Sequence, residues 1–259
     1  MPGNERHGIV IQERDRMLLK ELASFRVVDR EQAKRIAGFG TTTQVNARLL
    51  RLTRAGLLRR SFIGTTNGGQ KALYMLSLNG AKLVDVPFRS LRRRRDEVLT
   101  ANFFVTHQLS VNEIHCDLKF RPIPITEAKV ERWLDFFEPL EAGIRLIPDG
   151  YVEIRFGQKM VAAFLEVDLG TEGVSVWKRK IENYVRYAIS GAFEKRFGQP
   201  QFRVLVVAST DRRMRSLKAT TQSITEKIFW FTTVDSIRRD GFWSTVWLRT
   251  KDGERHSLL

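Results

Sequence analysis

The sequence predicts a two-domain α+β and α/β protein, with an N-terminal domain of helices and a β-hairpin and a C-terminal α/β domain on a mixed sheet. The chain has 259 residues, of which 42% are hydrophobic, enough to build more than one core. Its apolar period changes from helical to alternating within residues 12–84. Its positive charge is concentrated towards the N-terminus, which indicates that the two parts have different roles.

The charge distribution sets the expected domain boundaries. The formal net charge is +15, of which residues 1–86 carry +8, residues 87–95 carry +5 from five arginines, and residues 96–259 carry +2. We therefore expect a nucleic-acid-binding domain, a basic linker and a nearly neutral domain over these ranges. A basic protein binds polyanions, either nucleic acid or an anionic membrane surface. The basic part is patterned to fold and is not a basic amphipathic helix with exposed aromatics, so the membrane surface is disfavoured.

Other classes of protein are excluded by simpler features. No apolar run approaches the 18 residues of a transmembrane helix, and residues 1–16 contain no apolar signal-peptide core, so a cytoplasmic location is expected. Cys116 is the single cysteine and excludes an internal disulfide. With no CxxC pair and four scattered histidines, a structural zinc site is disfavoured as well.

The N-terminal domain is predicted to contain three helices and a hairpin. The first helix spans 13–25, the second spans 30–37 behind the N-cap Asp29, and the third starts at Thr41 with an apolar stripe spaced i, i+4, i+7. Alternating segments at 57–63 and 71–78 then flank a glycine-rich turn at 64–69, which predicts a β-hairpin.

This order, with the segment LLRLTRAGLLRR leading into the hairpin, resembles a winged helix-turn-helix domain over residues 12–84. The resemblance implies that the third helix enters the major groove of double-stranded DNA. Residues that lie off the apolar stripe of this helix carry groups for base edges or phosphates: Thr42, Thr43, Gln44, Asn46, Arg48, Arg51 and Arg54. The hairpin and linker add cations for phosphates: Arg59, Arg60, Lys71, Arg92, Arg93, Arg94 and Arg95. The alternatives are a small helical domain that binds protein and an arginine run that is only a solvated helix start.

The C-terminal domain is predicted to begin with a long helix over 95–119 and to continue as an α/β pattern. Its further elements are strands at 147–154 and 159–168, a helix from Val174, a strand at 202–208, a helix around 212–227 and strands near 228–232 and 244–248. This order predicts a mixed sheet.

Carboxylates at the ends of two neighbouring strands mark the expected chemical site. Asp149 lies near the start of the first strand, and Glu166 and Asp168 end the second. Carboxylates placed in this way can share one Mg²⁺. Pro148-Asp149 followed by Glu166 resembles the PD-(D/E)xK nucleases, and this resemblance implies that Asp149 and Glu166 hold Mg²⁺ for DNA cleavage.

The nuclease resemblance departs from its family at one position. Asp168 stands where that family has its catalytic lysine, so we expect Lys180 of the following helix to stabilise phosphate charge, with Lys178 as second choice. Glu113 of the long helix is a further candidate for the site.

The stretch FLEVDLGTE at 164–172, followed by Lys180 and Tyr184, is similar to the replication-relaxation family, over about residues 12–235. The resemblance implies a role in replication or mobilisation of a plasmid, phage or integrative element, with replication or mobilisation proteins as partners. A symmetric DNA site would favour a homodimer.

Three interpretations of the acids stay open: an active nuclease, a slow or vestigial metal site, and structural acids that are solvated on an edge strand or paired with arginine. In the last two cases the protein is a non-enzymatic DNA-binding regulator or replication accessory factor whose second domain dimerises or docks a partner.

Overall fold

A computed structural model describes residues 9–65, 68–88 and 98–258 of the chain, and only the backbone of 98–102. The chain divides into two compact units, Met1–Cys116 and Asp117–Leu259. The division between the two units lies inside a helix, later in the chain than the linker expected at 87–95. The run Arg92 to Arg95 lies outside the described residues. Within the described ranges, no helix combines the length and apolarity that a membrane span requires.

The first unit is helical with a small antiparallel sheet. Its elements are α1 (Glu13–Phe25), β1 (Val28–Asp29), α2 (Arg30–Ile36), α3 (Thr42–Arg54), β2 (Leu58–Gly64), β3 (Gln70–Leu76), α4 (Leu78–Val84) and the greater part of α5 (Val98–Phe120). The strand order is β1-β3-β2, and β2 and β3 form the predicted hairpin.

Local sequence explains where α2 and α3 begin. The Asp29 side chain accepts a hydrogen bond from Gln32 N at 2.9 Å, and the Thr41 hydroxyl accepts one from Gln44 N at 3.2 Å. Both are capping boxes, which satisfy amide groups that have no partner inside the helix. The predicted apolar stripe of α3 is confirmed as buried, since Val45, Leu49 and Leu52 pack into the core of this unit.

Helix α5 belongs to the first unit up to Cys116 because its polar side chains hold that unit's backbone. Asn112 Nδ2 donates hydrogen bonds to Phe25 O at 3.0 Å and Val27 O at 2.5 Å, just past the end of α1. These carbonyls lie where a helix leaves its acceptors unpaired. A charge pattern does not report such bonds, so it marks a different position in the chain from the division between the two units.

The second unit is built on a seven-stranded mixed sheet. Its elements after α5 are β4 (Ala128–Leu134), β5 (Gly150–Phe156), β6 (Lys159–Asp168), α6 (Val174–Ile189), α7 (Ala192–Phe197), β7 (Arg203–Ala208), α8 (Asp211–Gln222), β8 (Phe229–Thr233), α9 (Val234–Asp240), β9 (Trp247–Arg249) and β10 (Arg255–His256). The strand order is β10-β9-β8-β7-β6-β5-β4, with β6, β7 and β8 parallel and the other neighbours antiparallel. The predicted mixed sheet is confirmed.

The core of the second unit lies on one face of β6. Side chains alternate along a strand, so Ala162, Phe164 and Glu166 share a face. Seven aromatic rings surround Phe164 at centroid distances of 5.0 to 6.2 Å: Phe136, Tyr151, Tyr184, Tyr187, Phe193, Phe197 and Phe202. Tyr184 and Tyr187 come from α6, so this packing fixes α6 against the strand that carries Glu166.

Several elements were not predicted. Helices α4, α7 and α9 are six or seven residues long, and β10 has two residues, so all are shorter than the windows over which hydrophobic periodicity predicts an element. Strand β4 is mostly half-buried or exposed and lies at the sheet edge, where no strict alternation is required.

Candidate functional site

The exposed side of α3 carries most of the residues that were expected to contact DNA. Thr42, Thr43, Gln44, Asn46, Arg51 and Arg54 are all exposed, and so are Arg59 and Arg60 on β2. Within the described part of the chain, Arg51, Arg54 and Arg59 form no ion pair. Their charges are therefore available to a partner.

Arg48 is a correction to this set. Its Nε donates to Asp15 Oδ1 at 2.8 Å, and its Nη2 bonds both Asp15 Oδ2 and Val10 O, the latter at 2.6 Å. Asp15 is fully buried and the Arg48 side chain is only 10% exposed. The hydrogen bond that Arg48 donates to Asp15 raises the pKa of Arg48. Arg48 therefore joins α3 to α1, and its guanidinium is not presented to DNA.

Two further candidates are partly engaged by the fold. The Gln44 side chain closes the α3 capping box, accepting a hydrogen bond from Thr41 N at 3.3 Å. The Lys71 ammonium lies 2.9 Å from Asp29 Oδ2, although half of its side chain stays exposed. Both residues reach the surface. However, Gln44 already bonds the first residue of the capping box, and Lys71 already pairs with the carboxylate that caps α2.

A groove of about 570 Å³ runs between α3 and the hairpin. Asn46 and Lys71 line it, together with Arg60 and Phe62 of β2. Phe62 is 52% exposed, and the Arg60 guanidinium lies 4.6 Å from its ring centroid. Sequence reasoning missed Phe62, although its place among the outward-facing residues of a basic strand is a usable signal.

In the second unit, the fold brings Asp149 and Glu166 side by side. Strand pairing ends with Gly150 opposite Leu165, so Asp149 directly precedes β5, beside the end of β6 that carries Glu166. Asp149 N donates to Leu165 O at 3.0 Å, and the Asp149 carboxylate accepts from Val167 N at 2.7 Å. Asp149 is half-buried, whereas the Glu166 side chain is only 3% exposed. Because β6 is an interior strand, the alternative of acids solvated on an edge strand is wrong.

Glu166 is held by two residues of α6. Lys180 Nζ donates to Glu166 Oε2 at 2.8 Å, and the Tyr184 hydroxyl donates to Oε1 at 2.6 Å. Lys180 and Tyr184 are four residues apart, so they lie one turn above the other on the same helix face. Lys180 also lies 2.7 Å from Glu172 Oε1. By contrast, Lys178 is exposed and takes no part in the cluster.

The electrostatics of this cluster are unusual. Burial raises the pKa of Glu166 to about 7; the neighbouring Asp149 adds to this rise and Lys180 opposes it. Burial alone would lower the pKa of Lys180, but the charges of Glu166, Glu172 and Asp149 raise it above its usual value. Burial and Glu166 also raise the pKa of Tyr184. Lys180 therefore stays charged at neutral pH, while Glu166 is close to its titration point.

Asp168, expected among the catalytic acids, is placed differently. Arg213 of α8 binds it through two hydrogen bonds, from Nε to Oδ1 at 2.7 Å and from Nη2 to Oδ2 at 2.8 Å. Gly170 N donates a third at 2.7 Å, and Arg213 also bonds Glu172 O. The alternative of an acid paired with arginine therefore describes Asp168. The sequence did not identify Arg213, because its pairing with Asp168 depends on the parallel contact of β6 with β7.

Glu113 is also placed differently from its expected role. It lies in the first unit, where Arg35 Nη2 binds its carboxylate and Gln32 Nε2 lies 3.4 Å away. These contacts tie α5 to α2. The expectation that Glu113 contributes to the acidic site has no support from its surroundings.

The residues present fit Mg²⁺ in part. Residues 9–65, 68–88 and 98–258 contain no group of three or more His, Cys, Asp or Glu side chains that could hold a metal ion. Asp149 and Glu166 nonetheless provide two adjacent carboxylates, and Mg²⁺ is usually bound by one or two carboxylates with waters completing its shell. Each Glu166 oxygen accepts one hydrogen bond in the contacts above and keeps a second lone pair.

Comparison with known proteins gives one match. The model of the replication-relaxation family matches residues 19–201, which is more than half of the chain. No curated protein and no solved structure matched the chain.

Proposed function

The chain belongs to the replication-relaxation family, and we propose that it binds double-stranded DNA through α3 and the β2–β3 hairpin. The family description indicates a role in replication or relaxation of plasmid or mobile-element DNA. The observation that carries the proposal is the exposed face of α3. On this face Arg51 and Arg54 form no ion pair with any described residue, and they lie beside the polar residues Thr42, Thr43 and Asn46.

The order of elements in the first unit supports this proposal. Helix, short strand, helix, helix and hairpin, with the strand order β1-β3-β2, is the order of elements expected of a winged helix-turn-helix domain. In such a domain the third helix lies in the major groove with its N-terminal residues leading. Thr42, Thr43 and Asn46 would then face base edges, and Arg51 and Arg54 would face phosphates.

Salt dependence of DNA binding tests the proposal. With about six phosphate contacts, log K falls with log salt at a slope of roughly −5. The double variant Arg51→Ala and Arg54→Ala should make the slope less steep by about 2, since each phosphate contact contributes about 1.

A matched control comes from the second unit. Arg212 and Arg215 are exposed on α8 with the same spacing as Arg51 and Arg54, so their double alanine variant removes equal charge. It should leave the slope unchanged. A slope near zero for the wild type, or equal slopes for the two double variants, would refute binding through α3.

A second candidate function is metal-dependent DNA cleavage by the second unit. The proximity of Asp149 to Glu166, together with the bond between Lys180 and Glu166, favours it. Asp149 and Glu166 would hold Mg²⁺, which supplies neutralisation of phosphate charge and activation of water when bound. Lys180 would place a fixed positive charge beside the phosphate, and Tyr184 would keep Glu166 oriented.

Cleavage is tested on supercoiled, nicked and branched DNA with Mg²⁺ or Mn²⁺. Under the nuclease hypothesis the wild type cuts, Glu166→Ala does not, and Glu182→Ala, an exposed glutamate of α6, cuts like the wild type. If no protein cuts while DNA binding persists, the chain is a binding factor. Its second unit then serves dimerisation or partner docking.

A further inference from the structure

A groove of about 630 Å³ lies at the end of the seven-stranded sheet where β7 and β8 begin. Arg203 is the first residue of β7, whereas Glu166 lies near the last residue of the parallel strand β6. The groove is therefore at the opposite end of the sheet from the acidic cluster. Its volume is within the range of small-molecule sites.

Two arginines stack on one tryptophan in this groove. The guanidinium carbons of Arg203 and Arg249 lie 4.5 Å and 5.1 Å from the Trp230 ring centroid. Strand pairing aligns Trp230 with Arg249 and with Leu205, so Trp230 is on the sheet face opposite Phe229 and the aromatic core. Cation–π contact stabilises each arginine, but it does not neutralise charge.

The positive charges of the groove are incompletely balanced. Arg203 Nη1 donates to the neutral carbonyl of Leu258 at 2.6 Å. Arg249 Nη2 contacts His256 Nδ1 at 2.8 Å, and Arg249 Nε is buried without a hydrogen-bond partner among the described residues, 3.8 Å from Asp252. Burial and the charge of Arg249 lower the pKa of Arg203, which shows that the two guanidiniums repel each other.

The rim of the groove adds to the same imbalance. Lys227 and Lys251 are exposed there, and Glu226 is the acid among the described residues that lines the groove. With Asp252 beside Arg249, four cations face two carboxylates. Repulsion within such a group is relieved when an anion binds. Guanidinium groups favour phosphate, because their planar donors match its oxygens.

We propose that this groove is a phosphate-binding site, with Arg203 and Arg249 as its anchoring cations and Lys227 and Lys251 at its rim. The phosphate is carried by a nucleotide or by a strand of nucleic acid. The site involves no residue of α3 or of the acidic cluster, so it stands independently of both functions proposed above.

Tryptophan fluorescence of the full chain tests the proposal. The wild type and Trp230→Phe are each titrated with inorganic phosphate, a nucleoside monophosphate or a single-stranded oligonucleotide of about ten nucleotides. The difference between their fluorescence gives the emission of Trp230. We expect saturable quenching of this difference signal. A response to the monophosphate identifies a nucleotide site, and a response to the oligonucleotide alone identifies a nucleic-acid strand.

Charge reversal at the rim provides the decisive comparison, since it leaves the stack intact. Lys227→Glu should weaken binding by about fivefold, and Lys195→Glu, on the exposed side of α7, should change it by less than about twofold. The proposal is overturned if none of the three probes gives a saturable Trp230-dependent signal. Equal affinities of the two lysine variants would overturn it as well.

Discussion

Helix α3 and the end of β6 hold their charges in opposite ways. On α3, Arg51 and Arg54 are exposed and form no ion pair within the described residues. At the end of β6, Glu166 is bound to Lys180 and Asp168 to Arg213, and both acids are buried. The exposed face of α3 therefore leaves its cations unpaired among the described residues, whereas the end of β6 uses its charges within the fold. Net charge alone does not separate these cases.

The same contrast occurs between close neighbours in each region. Arg48 and Arg51 are three residues apart on α3, yet only Arg48 reaches a buried carboxylate. Glu166 and Asp168 are two residues apart on β6, yet one is held by α6 and the other by α8. These neighbours offer matched pairs for testing which charges serve stability.

The largest effect is expected for Arg48→Ala. Its loss leaves Asp15 fully buried without its cation, which should lower the free energy of unfolding by about 3 kcal/mol. Urea unfolding measures this change. A loss below about 0.5 kcal/mol would mean that Arg48 does not join α3 to α1.

Lys180→Ala should have the next largest effect, a loss of about 2 kcal/mol, since Lys180 is itself a quarter exposed. The loss should be smaller at acidic pH, where Glu166 takes up a proton and needs no cation. Thermal unfolding of Lys180→Ala beside Lys178→Ala measures it, because Lys178 is exposed on the same helix. Equal losses for the two variants would contradict a buried Lys180–Glu166 pair.

The pH dependence of stability tests the same cluster through Glu166. The pKa of Glu166 is raised in the folded state, from 4.5 to about 7, so the folded state holds the proton more tightly. The resulting stability is fully present below pH 4.5 and is lost as the pH rises to about 7. The free energy of unfolding of the wild type should therefore fall relative to Glu166→Gln over this interval. Denaturant unfolding across this pH interval measures the change, with Glu182→Gln as the control. If the free energies of unfolding of both variants differed from that of the wild type by a constant amount, the raised pKa of Glu166 would be contradicted.

The smallest effect on stability is expected for Arg51→Ala, within about 0.5 kcal/mol of the wild type, because its side chain is exposed. DNA affinity should fall in this variant although folding is unchanged. Unfolding and DNA-binding measurements on one protein sample show whether the two properties separate. A loss of stability comparable to that of Arg48→Ala would erase the distinction between the two arginines.

Much of the fold was predictable because it depends on local patterns. The bounds of α1, the capping residues Asp29 and Thr41, and the hairpin follow from neighbours within a few positions. The mixed sheet followed from the order of its strands and helices. Short helices were missed, because they depend on contacts between residues distant in sequence.

The sequence by itself determined which groups are available: a basic first part, an exposed polar face on α3, and acids at the start of β5 and the end of β6. Only the tertiary structure decided how each is used. Arg48 is removed from the surface by Asp15, 33 positions away, and Asp168 by Arg213, 45 positions away. The physical reason is that a charge is neutralised by whatever the fold brings within a few ångströms, and strand pairing and helix packing, not sequence spacing, set those distances.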